Sequence, residues 1–201
     1  MHGLRPYDRE MTDPLIKLFG SQTRLKLLRL FLFNPSAQFS AAEAGERSRV
    51  ASAAARREMA NLVGAGLLKK ARTKVTRYAL NEKFPYLVAL KNLILNTEQR
   101  GESVPERLRT AGAIKLIILT GVFVGDVEAN FDMLIAGDRV RESSLREKVK
   151  SLEAELGREL RYALLSTADF LYRLNMNDKL VRDVMDYPHR VVYDKLDIGL
   201  K

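Results

Sequence analysis

With 201 residues, 46% of them hydrophobic and 29% charged, the chain has the composition of a folded protein long enough for two small domains, each with a core. It contains no cysteine, which excludes disulfides and thiolate metal sites and fits a reducing compartment. The net charge of +9 is concentrated: residues 1–83 hold 16 Lys or Arg against 7 Asp or Glu, whereas residues 84–201 hold 18 of each. A basic module fused to a neutral one points to polyanion binding by the first and a different task for the second. The plainer alternative is a basic face kept for solubility.

Residues 1–13 read as a polar lead-in with Pro6 and Pro14 as breakers, and the opening MHGLRPYDRE has no apolar core that could act as a signal peptide. Apolar runs such as Ile114 to Leu119 are too short to cross a bilayer, so a cytoplasmic protein without membrane segments is expected. Leu15, Ile16, Leu18 and Phe19 suggest a helical turn. Ser21 can cap a helix running to about Phe33, which Asn34-Pro35-Ser36 ends. Ser40 is placed to cap the next helix, Ala41 to Arg47, with Glu43 at the third helical position as in a capping box.

After a break around Glu46 to Arg49, a second helix is expected from about Val50 to Val63, stopped by Gly64 and Gly66. If Ala51, Ala55, Met59, Leu62 and Val63 face the core, then Arg49, Ser52, Ala53, Arg56 and Arg57 fall on or near the opposite face. Arginines there can contact guanine edges or phosphate, Ser52 can donate to either, and Ala53 permits close approach to a thymine methyl. Two short strands follow, Leu67 to Arg72 and Lys74 to Leu80, carrying Lys69, Lys70, Arg72, Lys74 and Arg77. Cations on such a hairpin would neutralise phosphates beside a groove and make binding strongly salt-dependent.

The run EMANLVGAGLLKKARTKVTRYALNEKFP resembles the end of winged helix-turn-helix regulators of the arsenical-resistance-repressor type. The positions that carry the resemblance are Leu62, Gly66 and Leu67, the tip from Arg72 to Arg77, and Tyr78, Leu80 and Asn81. It covers about residues 15–83 and implies a winged helix that binds double-stranded DNA, normally as a homodimer. Metal-sensing members of that family use Cys and His ligands. Neither residue type occurs in residues 15–83, so no metal is expected.

Phe84 to Asn96 has an amphipathic helix pattern, with Leu87, Leu90, Leu93 and Ile94 on one stripe, and suits either a dimer seam or a helix packed on its own domain. Residues 97–104, TEQRGESV, read as a boundary, making 84–104 a connecting helix and linker. A short helix, Pro105 to Ala111, precedes a buried strand, Ile114 to Leu119. Then come a turn at Thr120-Gly121, a strand at Phe131 to Ala136, a helix from Ser143 to Leu156 and a strand from Leu160 to Leu165. Helices at Ala168 to Leu174 and Asn177 to Met185 and a strand at Arg190 to Tyr193 complete a mixed-sheet domain over 105–195. The fold class is α+β.

The segment GVFVGDVEANFDMLI after a strand resembles the signature of minimal polymerase-beta-like nucleotidyltransferases, and the tail DFLYRLNMNDKLVRDVMDYPHRVVYD is similar to the end of winged-helix proteins with such a domain appended. That family's motif is Gly-Ser, a short helix with a glycine, then two acids on the next strand that hold divalent metals. Here Gly121 and Gly125 keep the glycines, Val122 replaces the serine, Asn130 stands at the first acid and Asp132 at the second. The strand LRYALL offers no third carboxylate. The resemblance therefore implies a degenerate nucleotide site with no catalytic residues, no metal and no cofactor.

The histidines, His2 and His189, lie in the lead-in and in a turn, and Asp169, Asp178, Asp183 and Asp186 read as surface or capping carboxylates. The sequence thus points to a DNA-binding transcriptional regulator, homodimeric, whose C-terminal domain senses a small-molecule or protein effector, dimerises or binds a partner. Two alternatives stand beside it. One is a divergent nucleotidyltransferase that uses the basic domain to hold a nucleic acid; the other is a helix–turn–helix that contacts protein.

Overall fold

The computed structural model describes residues 13–72, 74–95, 98–126 and 129–199, without the side chains of Arg72 and of residues 98–100. The expected lead-in up to residue 12, with His2, lies outside the described residues. The chain divides into two compact units, one ending at Ile94 and the other starting at Leu95. Each contains helices and one sheet, so the class is α+β.

In the first unit, Asp13 caps α1 (Pro14–Phe19) and Ser21 caps α2 (Gln22–Phe33), accepting from the Arg24 N–H at 3.2 Å. Helix α2 is buried along Leu25, Leu27, Leu28, Leu30, Phe31 and Leu32 and is the central helix of this core. A two-residue strand, β1 (Gln38–Phe39), precedes α3 (Ala41–Ser48) and α4 (Ser52–Gly64). The hairpin β2 (Leu68–Arg72) and β3 (Thr76–Leu80) follows, and the sheet order is β1-β3-β2, all antiparallel. Phe39 meets Phe31 edge-on at 5.5 Å, which seats the sheet base on α2.

Helix α5 (Leu87–Ile94) is shorter than the expected Phe84 to Asn96 and contacts α2. Of its expected stripe, Ile94 is buried, Leu87 and Leu90 are half-buried, and Leu93 is exposed. Tyr86 and Val88 are also exposed.

The second unit begins earlier than expected. Residues 98–103 were expected to lie in a linker but form a 3-10 turn leading into α6 (Val104–Leu108). Gly101 is buried against the ends of the Leu119 and Arg190 side chains, which a Cβ there would displace. A polar, glycine-containing composition imitates a linker here, although its glycine packs against the second unit's own side chains.

The sheet of this unit has the order β6-β5-β4-β7. Strands β4 (Ala113–Leu119) and β5 (Met133–Asp138) are antiparallel, β7 (Arg190–Asp194) pairs antiparallel with β4, and β6 (Tyr162–Leu165) is parallel to β5. The β5–β6 connection is α7 (Glu142–Leu156), the long crossover that a parallel pair needs. Leu116, Ile118, Leu134 and Ala136 pack with Phe170 of α8 (Thr167–Asn175) and with Val181 and Val184 of α9 (Lys179–Met185). By strand alternation Ile117 and Ile135, paired in register, face the other side, so both faces are covered.

Candidate nucleic-acid interface

The turn between α3 and α4 is built by local hydrogen bonds. Ser40 Oγ accepts from the Glu43 N–H at 3.2 Å, and Glu43 Oε2 accepts from the Ser40 N–H at 2.7 Å, which completes the expected capping box. At the other end of α3, the Val50 N–H donates to Gly45 O at 2.9 Å and the Arg49 N–H to Glu46 O at 3.1 Å. This is a Schellman closure with Arg49 in the left-handed position, φ 51°. Gly45 lets the turn fold back tightly, since a Cβ there would lie 2.9 Å from Val50 O.

Helix α4 has two distinct faces. Ser52, Ala53, Arg56 and Arg57 are exposed, as is Arg49 in the preceding turn. Ala55, Met59 and Leu62 are buried as expected, but Ala51 is exposed at the N-cap and Val63 is only half-buried. Periodicity overestimated the apolar stripe because Ala51 precedes the helix. The stripe is completed instead by a charged residue, Glu58, whose side chain is only 8% exposed. Glu58 Oε2 accepts from Arg24 Nε at 3.0 Å, and Arg24 Nη1 donates to Phe19 O at 2.9 Å. Burial raises the Glu58 carboxyl, but bonds from Arg24, Asn61 and Ser21 outweigh it and hold it below the ordinary value. The helix carrying Arg56 and Arg57 is thereby pinned to the α1–α2 junction.

Gly66 ends α4 with φ 81°, the Leu67 N–H donating to Leu62 O at 3.0 Å, whereas Gly64 stays helical and ends nothing. Asn81 closes the far end of the hairpin: its N–H donates to Leu67 O and its Nδ2 to Gly66 O, both at 2.8 Å. Tyr78 and Leu80 are buried, while Lys69, Lys70 and Lys74 are exposed. Arg77, expected among the phosphate contacts, is 40% exposed at its side chain and bonded within the protein. Its guanidinium grips Glu43 with both terminal nitrogens, at 3.1 and 3.2 Å, and donates to Gln38 O at 3.0 Å. Hydrogen bonds from the Ser40 backbone and hydroxyl, with help from Arg77, hold the Glu43 carboxyl below the ordinary value.

In the second unit, the segment between β4 and β5 opens with a 3-10 turn, Gly121–Val124, closed by Gly125 at φ 83°. Gly121 has φ 56°, and a Cβ there would run into the Asp132 side chain and lie 2.5 Å from Phe131 O. Asp132 is fully buried. Its Oδ1 accepts from the Val122 N–H at 3.0 Å and its Oδ2 from the Arg161 N–H at 2.8 Å, with Arg161 Nε 3.7 Å away. Both oxygens are thus engaged in tying the turn after β4 to the residue that leads into β6. Asn130 is exposed and lines a cavity of about 410 Å³ with Thr120, Asp126, Lys179, Asp183 and Tyr187. The described residues contain no cluster of three metal-ligating side chains and no helix long and apolar enough to cross a membrane. Asp178 caps α9, and Asp169 pairs with Arg173 at 3.0 Å, in keeping with their reading as capping and surface carboxylates.

No protein-family model matches the chain, and no curated protein matches it. Among solved structures, a double-mutant form of Lactococcus lactis ZitR is similar at 19% identity and a TM-score of 0.31, covering 50% of this chain. The match spans 66% of that structure's own length.

Proposed function

We propose that this chain is a sequence-reading, double-stranded-DNA-binding transcriptional regulator that works as a homodimer. The first unit is read as a winged helix: three helices and a three-stranded sheet in the order α2-β1-α3-α4-β2-β3, with α4 as the groove-reading helix. The observation that carries this reading is the exposed group Ser52, Ala53, Arg56 and Arg57 at the start of α4, the end that such helices present to base edges. The hairpin supplies the exposed Lys69, Lys70 and Lys74 for phosphates. Tyr86, Val88 and Leu93, apolar and exposed at α5, are the surface assigned to the second copy.

The second unit is read as a nucleotidyltransferase-like sheet without the activity. Supporting this are the strand–turn–strand arrangement around Gly121 and Gly125, the order β6-β5-β4, and the complete use of Asp132 in backbone hydrogen bonds. Its role is to sense an effector or hold a partner, and the cavity beside Asn130 is the place for a small molecule.

The reading is tested by anisotropy titration of the full chain with duplex DNA over a range of salt. A linear fall of log affinity with log salt, and an unequal affinity for different duplexes, are expected. Binding that ignores salt would favour a protein-contacting module and overturn the proposal.

A further inference from the structure

We infer that Arg77 is a positioning residue that fixes the basic hairpin against α3, and not one of the hairpin's phosphate ligands. The inference rests on the double-stranded-DNA reading of the first unit. Its geometric basis is the point where the sheet ladder stops. β1 pairs with β3 at Gln38 with Ala79 and at Phe39 with Tyr78. One further step would set Ser40 opposite Arg77, but Ser40 leaves the strand to cap α3, and its N–H turns to Glu43. The Arg77 side chain takes over where the backbone pairing ends, bonding the β1 carbonyl of Gln38 and the first-turn carboxylate of α3 at Glu43.

Beyond that point β3 pairs only with β2, Arg77 opposite Ala71 and Thr76 opposite Arg72. A two-stranded ribbon is marginal by itself and free to twist. Hairpin cations set the register of a reading helix only if the ribbon points in a fixed direction. The planar two-pronged grip of an arginine on a carboxylate supplies that direction, and a lysine cannot reproduce it. The guanidinium charge is balanced by Glu43, so Arg77 adds nothing to the count of phosphates neutralised. A surface ion pair of this kind contributes little to stability. Its effect should appear in discrimination between DNA sequences.

The test uses the full chain and the variants Arg77→Lys, Arg77→Ala and Glu43→Gln; the last keeps a side chain competent for the capping box. Affinity is measured for a preferred duplex and for a scrambled one across salt concentrations. Each variant should lower the ratio of preferred to scrambled affinity by about fivefold or more, the low end of one lost base contact. The Arg77→Ala salt slope on scrambled duplex should stay unchanged. A slope reduced by about 0.9, with Arg77→Lys behaving as wild type, would make Arg77 an ordinary phosphate contact and overturn the inference. Hydrogen exchange across residues 69–77, measured without DNA, should quicken in Arg77→Lys; unchanged exchange would also overturn it. If the wild-type chain prefers no duplex, the DNA reading fails, and the exchange experiment still decides whether Arg77 tethers the hairpin.

Discussion

Asp132 is bonded to the backbone of Arg161: its Oδ2 accepts the Arg161 N–H at 2.8 Å, and the Asp132 N–H in turn donates to Arg161 O at 2.7 Å. Asp132 is a fully buried joint between the residues that lead into β5 and β6. Asp132→Ala leaves the Val122 and Arg161 donors without an acceptor and should cost about 2–6 kcal/mol, from roughly 1–3 for each. Urea unfolding measures this. Magnesium-dependent nucleotide incorporation should be at background in wild type and variant alike. Robust incorporation abolished in Asp132→Ala would contradict the inactive reading.

Glu58 and Glu43 make a pH prediction of defined sign. Both carboxyls titrate below the ordinary value of 4.5 in the folded chain, so the unfolded chain binds their protons more tightly. Their contribution to stability is full above the unfolded value and is lost as pH falls through the folded values. The thermal midpoint should therefore hold from neutral pH down to about 5 and decline below that. Glu58→Gln should lower the midpoint at neutral pH, costing about 1–3 kcal/mol through the weakened grip on Arg24, and should shrink the acid-induced decline. An unchanged acid profile in Glu58→Gln would show that the Arg24 bond does not stabilise α4.

Arg56 and Lys69 should fail differently. Arg56→Ala should weaken binding to a preferred site by ~1–3 kcal/mol and relax discrimination at one base position. Lys69→Ala should weaken all duplexes alike and reduce the salt slope by about 0.9. If Arg56→Ala lowers all duplexes equally, it belongs with the phosphate contacts and α4 is not the reading helix.

Local signals in the sequence located most elements of the fold. Ser21 and Ser40 cap the helices they were expected to cap, and Ala55, Met59 and Leu62 are buried, because these features depend on residues three or four positions apart. The features that periodicity missed depend on distant partners. Glu58 is buried because Arg24, 34 positions away, meets it. Arg77, still 40% exposed at its side chain, is held because Glu43, also 34 positions away, accepts its fork. The two-residue strand β1 is too short to leave a pattern, although it is what places Gln38 beside Arg77. Residues 98–103 looked like a linker because only tertiary contact reveals that Gly101 packs against Leu119 and Arg190.

The most direct test of the central claim is selection of bound sequences from a random duplex pool, run with the full chain at two salt concentrations. The account predicts enrichment of an inverted repeat with half-sites about one helical turn apart, persisting at the higher salt with lower yield. Salt-sensitive binding without any enriched sequence, or no binding at all, would contradict it.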